Sequence, residues 1–141
     1  MPDVAQGLLR LEVVTPNRLV LNEEVSEVVI SGSEGYFGVL PGHLPFLTTL
    51  KAGYLTYWQG REVHHLAVSQ GFAEVRGDVV SILADTAERA EEIDVDRAER
   101  ARERAESRLK EWAVGDERID NARAEAALHR SLARLQAART R

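Results

Sequence analysis

Hydrophobic residues in the first 86 positions alternate with polar ones in short runs that are rich in β-branched and aromatic side chains. Leu9, Leu11 and Val13 give one such alternation. The other runs lie at 25–30, 46–50, 54–59, 63–68, 72–76 and 79–84, and turn residues separate them. A period of two with frequent turn residues is typical of β-strands. Eight or more short strands at this spacing predict an antiparallel β-sandwich or a flattened barrel.

Glycine and proline mark the predicted ends of these strands. Nine of the ten glycines precede residue 80. The segment Arg76–Val79 predicts a tight hairpin, because Gly77 relieves the positive φ that such turns demand. We place the other breaks at Pro16-Asn17, Gly35, Pro41-Gly42, Gly53, Gly60 and Gly71.

The apolar spacing changes to three and four from Val95 onward, which predicts amphipathic helices. Asp94 is placed to cap a first helix and Gly115 to end it, while Asp116 is placed to cap a second. The predicted apolar positions are Ala98, Ala101, Ala105, Leu109 and Trp112, then Ile119, Ala122, Ala126 and Ala133 beside Leu128, Leu132 and Leu135. The predicted fold is an N-terminal antiparallel β-sandwich over residues 1–86, followed by an antiparallel α-helical hairpin over residues 87–141.

The helical part is rich in alanine, which limits what it can bury. Thirteen of the 55 residues from Ala87 onward are alanine. Each buried methylene contributes about 0.8 kcal/mol, so a stripe of single methyl groups docks more weakly than a stripe of leucines. This composition favours a detachable arm. A permanently packed pair of helices fits the periodicity equally well.

Composition and charge exclude several classes of function. The chain carries 18 Lys+Arg against 23 Asp+Glu, a net charge of −5, which argues against a nucleic-acid-binding protein. It has no cysteine, so disulfides, thiolate metal sites and cysteine nucleophiles are excluded. No apolar run approaches the about 20 residues of a membrane span, and no signal peptide is visible. We expect a soluble, cytoplasmic protein that can still belong to a membrane complex.

The candidate chemistry does not indicate an independent enzyme or a metal site. His43 lies in the glycine- and proline-rich segment 35–45, with no carboxylate or second histidine at a useful spacing, which favours a structural or interface role. His64 and His65 are adjacent in a predicted strand and therefore point to opposite faces. No serine elbow and no pair of carboxylates stands out.

Arginines concentrate in the helical part. No acid follows Glu125, whereas four arginines do. Arg97, Arg104 and Arg108 lie nearly on one helix face, and Arg130 and Arg134 lie one turn apart on the second helix. Guanidinium groups that converge between two helices favour a polyanion such as a nucleoside triphosphate. A salt-bridged, solvated helix surface explains the same residues without a ligand.

Four segments together resemble the ε subunits of bacterial F-type ATP synthases, and the likeness extends over essentially the whole chain. They are Val14-Thr15-Pro16, the corner at 38–45, the stretch at 67–75, and Ile82-Leu83-Ala84-Asp85. The resemblance implies a non-catalytic subunit of the rotating central stalk, peripheral on the cytoplasmic face of the bacterial membrane. Its sandwich would bind the γ subunit and the c-ring, with the ring contact at Ser33, Glu34, Gly35, Tyr36 and His43. Tyr36 stands where many relatives have an acid.

The resemblance also implies a mobile hairpin. In its extended state the hairpin lies among the α and β subunits and inhibits ATP hydrolysis, with Arg123, Arg130 and Arg134 facing an acidic segment of β. Some relatives bind a regulatory ATP in the folded state through a motif that this chain has at 93–98. The matching positions are Glu88, Ile93, Asp94, Arg97, Ala98, Arg104, Arg130 and Arg134, and no further cofactor is implied. A stand-alone sandwich-plus-hairpin adaptor and an ATP-binding sensor that acts alone are the alternative functions.

Overall fold

The computed structural model describes residues 7–32 and 35–139. Within these ranges the chain forms eight strands and two α-helices, so the predicted sandwich followed by a helical hairpin is confirmed. A short 3₁₀ turn, Ala90–Glu92, joins the two parts. The elements are β1 Leu9–Val14, β2 Leu19–Val25, β3 Glu27–Gly32, β4 Gly35–Val39, β5 Phe46–Leu50, β6 Gly53–Gln59, β7 Glu62–Arg76, β8 Val79–Arg89, α1 Val95–Ala113 and α2 Asn121–Arg139.

The strands follow the order β2-β1-β8-β7-β6-β3-β4, and β5 pairs with β7 off this path. The long strand β7 pairs with β6 through residues 62–68 and with β5 through residues 71–75. This change of partner folds the sheet into two layers around one core. Among the described strands the pairing is antiparallel with one exception, since β1 runs parallel to β8 from Arg10 opposite Val79 to Val14 opposite Leu83.

The core is built from alternate residues of the strands. In β1, Leu9, Leu11 and Val13 are fully buried while the residues between them are half-buried, which is the predicted alternation. Ile30 and Leu55 lie opposite each other on the same inner face. Each fully buried aliphatic side chain contributes about 1.5–3 kcal/mol to folding. The sandwich therefore has a core of its own, to which the helices add little.

One of the glycines predicted as strand breaks lies inside a strand instead. The runs 63–68 and 72–76 form the single strand β7, which passes through Gly71. A Cβ at Gly71 would lie 1.8 Å from the carbonyl oxygen of Leu83, so glycine allows β8 to approach closely. Gln70 before it has φ 42°, a left-handed backbone conformation, at the point where β7 changes partner from β6 to β5. Gly53 lies at a strand end as predicted: it is the first residue of β6, and a Cβ there would meet the Ser31 hydroxyl.

The last strand of the sandwich is longer than the run at 79–84 predicts. β8 continues to Arg89, and its residues 87–89 pair with residues 66–68 of β7. The predicted boundary between residues 86 and 87 therefore falls inside a strand. The chain leaves the sheet only at the 3₁₀ turn.

The cap of the first helix agrees with the sequence, and that of the second does not. The Asp94 carboxylate accepts a 3.1 Å hydrogen bond from the Arg97 amide, and Gly115 ends the helical segment with φ 102°. Asp120, rather than Asp116, caps α2, because its carboxylate accepts the Arg123 amide at 3.1 Å. The predicted cap at Asp116 is wrong, since this residue lies in the turn before α2.

Helix α2 packs on β6 and β7, and α1 packs on α2. The side of α2 in contact with the sheet carries alanines, of which Ala133, Ala137 and Ala138 are buried. Trp112 and Leu132 are 47% and 42% exposed, although the periodicity places them in apolar stripes. The close approach of alanine-lined helices leaves these larger side chains at the edge of the contact. No helix in the described ranges is long and apolar enough to cross a membrane.

Candidate functional site

An ion pair joins the sheet to α2. Oε1 of Glu88, near the end of β8, lies 2.6 Å from Nε and 2.5 Å from Nη2 of Arg134. Both side chains are about a third exposed, at 29% and 35%. Both guanidinium nitrogens thus contact one carboxylate oxygen, and the charges make this contact stronger than one between neutral groups. The pair therefore defines where the middle of α2 stands above the sheet.

The ion pair lines a cavity of about 110 Å³ that brings together most of the predicted nucleotide residues. Ile93 is buried against Ala67, Ala137 and Ala138, which anchors the segment between β8 and α1. Asp94 follows as the cap of α1 and so fixes the position of Arg97. The lining residues are Glu88, Glu92, Ile93, Asp94, Arg97 and Arg134. Ala98 is buried one residue further on.

A second cavity of about 110 Å³ lies on the other side of the ion pair. Arg130 lines it together with Glu88 and Arg134. The hydroxyls of Ser69 and Thr86, which are hydrogen-bonded to each other, complete its polar wall. Arg130 is therefore a neighbour of the predicted site, separated from Asp94 and Arg97 by the Glu88–Arg134 pair.

Arg104 does not reach either cavity. It lines an open groove on the hairpin with Arg100, Glu103, Ser107, Arg108, Glu111 and Ile119. Seven residues separate Arg97 from Arg104, which is about 10 Å along a helix. Arg108 also lines a further groove with Arg118 and Arg123, near the turn of the hairpin. The predicted arginines therefore form two groups rather than one.

Charge and volume limit what the docked hairpin can hold. The cavity beside Asp94 has three carboxylates against two guanidiniums, and Arg134 is already neutralised by Glu88. Pockets that enclose drug-sized ligands measure about 300–1,000 Å³, so each 110 Å³ cavity is small for a nucleotide. An anion gains full access to Arg134 only when the Glu88–Arg134 pair opens.

The predicted ring-side residues occupy the start of β4 and the corner before β5. Gly35 and Tyr36 begin β4, and Tyr36 is 63% exposed. The His43 amide donates to Leu40 O at 3.1 Å, and its Nδ1–H donates to Leu44 O at 2.6 Å. His43 thus holds the corner, as its structural role predicts. Ser33 and Glu34 lie outside the described residues.

An exposed apolar face, which the sequence analysis did not identify, lies on β5, β7 and β8. We define it by Leu47, Phe72 and Leu83, which are 65%, 51% and 54% exposed. Phe72 stands opposite Leu83 across β7 and β8, and Leu47 lies diagonally across β5. Large exposed apolar side chains in one patch are typical of protein–protein contacts. The sequence does indicate that Phe72 points outward, because it precedes Ala73 and Val75, whose side chains point inward in the same strand.

The remaining histidines lie apart from these sites. His64 stacks on Tyr57 with ring centroids 4.9 Å apart, whereas Nδ1 of His65 lies 2.9 Å from the Thr56 hydroxyl, so the prediction of opposite faces is confirmed. Burial lowers the pKa of His65. In the part of the chain that the structure describes, no three His, Asp or Glu side chains form a group that could hold a metal ion.

Comparison with known proteins matches both parts of the chain. Residues 8–90 match the family ATP synthase, Delta/Epsilon chain, beta-sandwich domain, and residues 91–139 match the corresponding long alpha-helix domain. The ATP synthase epsilon chain of Nitratidesulfovibrio vulgaris is 54% identical over 128 residues, 91% of this chain and 93% of the relative. That of Moorella thermoacetica is 54% identical over 131 residues, 92% of this chain and 96% of the relative.

A solved structure shares the fold over nearly the full length. It is the Euglena gracilis mitochondrial ATP synthase, OSCP/F1/c-ring in rotational state 1, of which one chain superimposes with a TM-score of 0.80 at 28% identity. The match covers 97% of this chain and 84% of the Euglena chain.

Proposed function

Because the chain belongs to the ATP synthase Delta/Epsilon chain family, we propose that it is the ε-type subunit of a bacterial F-type synthase. In this role it is a non-catalytic part of the central stalk, which couples rotation between the c-ring and F1. The match of both family parts, in order and over residues 8–139, carries the proposal. The likeness to a chain from an F1/c-ring assembly supports it. The subunit is then peripheral to the cytoplasmic face of the membrane and contacts it only through the complex.

The sandwich offers two surfaces for these partners. The apolar face of Leu47, Phe72 and Leu83 is suited to a stable contact with the γ subunit, since burying it removes large aliphatic and aromatic side chains from water. The ring contact takes Ser33, Glu34, Gly35, Tyr36 and His43. The exposed Tyr36 makes this contact less acidic than a carboxylate at the same position would.

The helical hairpin is the regulatory part of the proposal. Its extended state inhibits ATP hydrolysis by placing Arg123, Arg130 and Arg134 against an acidic segment of a β subunit, between α and β. Arg123 and Arg130 are exposed in the docked state, whereas Arg134 is paired with Glu88. Extension therefore exchanges one carboxylate partner of Arg134 for another, which keeps the electrostatic cost of undocking small.

A regulatory ATP would stabilise the docked state. Glu88, Ile93, Asp94, Arg97 and Arg134 surround one cavity, and Arg130 lies behind the ion pair. ATP would enter by opening the Glu88–Arg134 pair, so that its phosphates replace the carboxylate on Arg134. A contribution from Arg104 requires a shift of α1, since this residue faces the separate groove in the docked hairpin.

The test of the regulatory role uses a hairpin that can be locked. The natural chain has no cysteine, so oxidation can join only cysteines that are introduced. We choose Ala67→Cys and Ala137→Cys, because both residues belong to one buried cluster. The locked chain, purified after mass spectrometry verifies the cross-link, is added to F1 depleted of its ε subunit. We expect the oxidised form to bind without inhibiting ATP hydrolysis and the reduced form to bind and inhibit. Equal inhibition by both forms contradicts the mobile hairpin, and failure of both to bind contradicts the subunit assignment.

A further inference from the structure

The C-terminal end of α2 is held on the sheet by a small cluster that is separate from the main core. Ala137 and Ala138 pack with Ala67 of β7 and with Ile93, and Tyr54 of β6 packs against the same cluster. The alanines supply single methyl groups, so Tyr54 is by far the largest side chain in this contact. Its position therefore has a large influence on how firmly the end of α2 docks.

Tyr54 also contacts a second tyrosine on its other side. The ring of Tyr36, on the edge strand β4, meets that of Tyr54 edge-to-face, with centroids 6.0 Å apart and an interplanar angle of 62°. The two hydroxyls are hydrogen-bonded, and the side chain of Gln136 on α2 is bonded to the Tyr54 hydroxyl. A continuous set of contacts thus runs from α2 through β6 to β4.

Both hydrogen bonds affect the ionisation of Tyr54. Burial raises the pKa of Tyr54, the bond to Tyr36 raises it further, and the bond to Gln136 lowers it. The Tyr54 hydroxyl is thus influenced from β4 on one side and from α2 on the other.

Tyr36 occupies a position where little else restrains it. It is 63% exposed and belongs to the strand at one end of the sheet order. An exposed side chain on an edge strand ordinarily samples several rotamers. Here the edge-to-face contact and the hydrogen bond both favour one position of the ring.

We propose that Gln136, Tyr54 and Tyr36 form a tyrosine relay, through which docking of the α2 end orders the start of β4. Coupling between two sites is reciprocal, so an ordered start of β4 stabilises the docked α2 to the same extent. Under the proposed function, on which this consequence rests, the ring-side residues Gly35 and Tyr36 are presented in their ordered form while the hairpin is docked, and become more mobile when it extends. Tyr36 links the two because it belongs to the relay and to the proposed ring contact.

The coupling is measurable by hydrogen exchange on the full-length chain without any partner. An edge-to-face aromatic pair of this kind changes an equilibrium by about 3- to 10-fold. We expect Tyr36→Ala to speed amide exchange at residues 133–139 of α2 by that factor, and Gln136→Ala to speed exchange at residues 35–39 of β4. Tyr36→Phe retains the ring and loses the hydroxyl bond, so a smaller increase is expected. The amides of Leu55 and Tyr57 in the core report any global loss of stability.

The control is Phe72→Ala, which removes an exposed aromatic ring outside the relay. It is expected to leave both segments unchanged. The relay is overturned if Tyr36→Ala leaves amide exchange at residues 133–139 at the wild-type rate. It is also overturned if Gln136→Ala leaves exchange at residues 35–39 unchanged. Because neither the c-ring nor the γ subunit is present, a failure of the proposed function leaves this result unaffected, and the two are tested separately.

Discussion

Oε1 of Glu88 accepts a 2.6 Å hydrogen bond from Nε of Arg134 and lies 2.5 Å from Nη2 of the same guanidinium, and so ties the end of β8 to α2. Glu88 thereby occupies the place on Arg134 that an incoming phosphate requires. The same contact holds the hairpin down and keeps an anion out. The same pair of side chains thus contributes to docking of the helix and limits access to Arg134.

Removing the charge of Glu88 is expected to tighten ATP binding. In Glu88→Gln the guanidinium of Arg134 loses its competing carboxylate, and we expect the affinity for ATP to rise by about 3- to 10-fold in isothermal titration. Arg134→Ala is expected to weaken binding. Glu92→Gln is the matched control, because it removes a carboxylate from the same cavity while the ion pair stays intact. Competition for Arg134 is contradicted if Glu88→Gln binds ATP no more tightly than Glu92→Gln.

The apolar face is expected to carry binding rather than stability. Leu47→Ser and Phe72→Ser remove exposed side chains, so the free energy of unfolding should change by no more than about 0.5 kcal/mol. Binding to the γ subunit, measured by surface plasmon resonance, should weaken at least about tenfold, since side chains central to an interface contribute more than about 1.4 kcal/mol. Val63→Ser, at another exposed apolar position, is the control and should bind normally. If both variants of the apolar face bind the γ subunit as tightly as the unchanged chain does, the γ subunit binds to another surface.

The cap of α2 gives a direct test of the hairpin turn. Asp120→Ala removes the acceptor of the Arg123 amide and should destabilise the hairpin by about 1 kcal/mol. Asp116→Ala breaks an exposed pair with Arg118, whose hydrogen bonds hold the pKa of Asp116 below its usual range, and should have a smaller effect. Circular dichroism at 222 nm during urea unfolding compares the two. A larger loss of stability in Asp116→Ala than in Asp120→Ala would show that Asp116 is the cap of α2.

The close approach of β8 to β7 requires a residue without a side chain at position 71. Gly71→Ala places a Cβ against the Leu83 carbonyl, so we expect a loss of several kcal/mol in the free energy of unfolding, or no folded protein. Gly60→Ala is the control, because Gly60 also has a positive φ of 64° but open space around it, and should lose only about 1 kcal/mol. Guanidinium titration measures both. Similar losses for the two variants would mean that backbone conformation, rather than the close approach of β8, requires glycine at 71.

Tyr57 is expected to limit stability at alkaline pH. Burial, followed by the charge of Glu23, raises the pKa of this core tyrosine from 10.0 to about 12. The unfolded chain therefore releases the phenol proton at a lower pH than the folded chain. The contribution of Tyr57 to the free energy of unfolding is constant below about pH 10. It falls by roughly 2–3 kcal/mol as the pH rises to about 12. In Tyr57→Phe this part of the pH dependence should disappear, after subtraction of the difference measured at pH 7. An unchanged slope between pH 10 and 12 would assign it to other groups.

The sequence predicts local features of this fold well. The alternation in Leu9, Leu11 and Val13 gives the buried face of β1, and Asp94 and Gly115 give both limits of the first helical segment. These signals depend on a residue and its near neighbours. For the same reason four residues of one cavity could be identified from a motif shared with known relatives and from the adjoining strand: Glu88, Ile93, Asp94 and Arg97.

The misplaced predictions depend on features of the folded chain that local patterns do not contain. Gly71 looks like a turn residue until β8 is placed beside it, and Asp116 and Asp120 are equally good caps until the length of the hairpin turn is known. Arg104 lies on nearly the same helix face as Arg97 but two turns away, so it meets a different neighbour. The relay through Tyr54 joins three elements, and no single stretch of sequence contains it.

The parallel pairing of β1 with β8 sets the order in which a growing chain can complete its fold. Arg10 must wait for Val79, 69 residues later, which at about 5–20 residues per second is about 3 to 14 s on the ribosome. During this delay one edge of β1 has only water as a partner, a state that favours association with other strands. The helices are synthesised after the strands. They can dock on β6 and β7 only after β8 has joined the sheet. The helical hairpin is thus the last part of the fold to dock, and its docking requires that the sheet beneath it is complete.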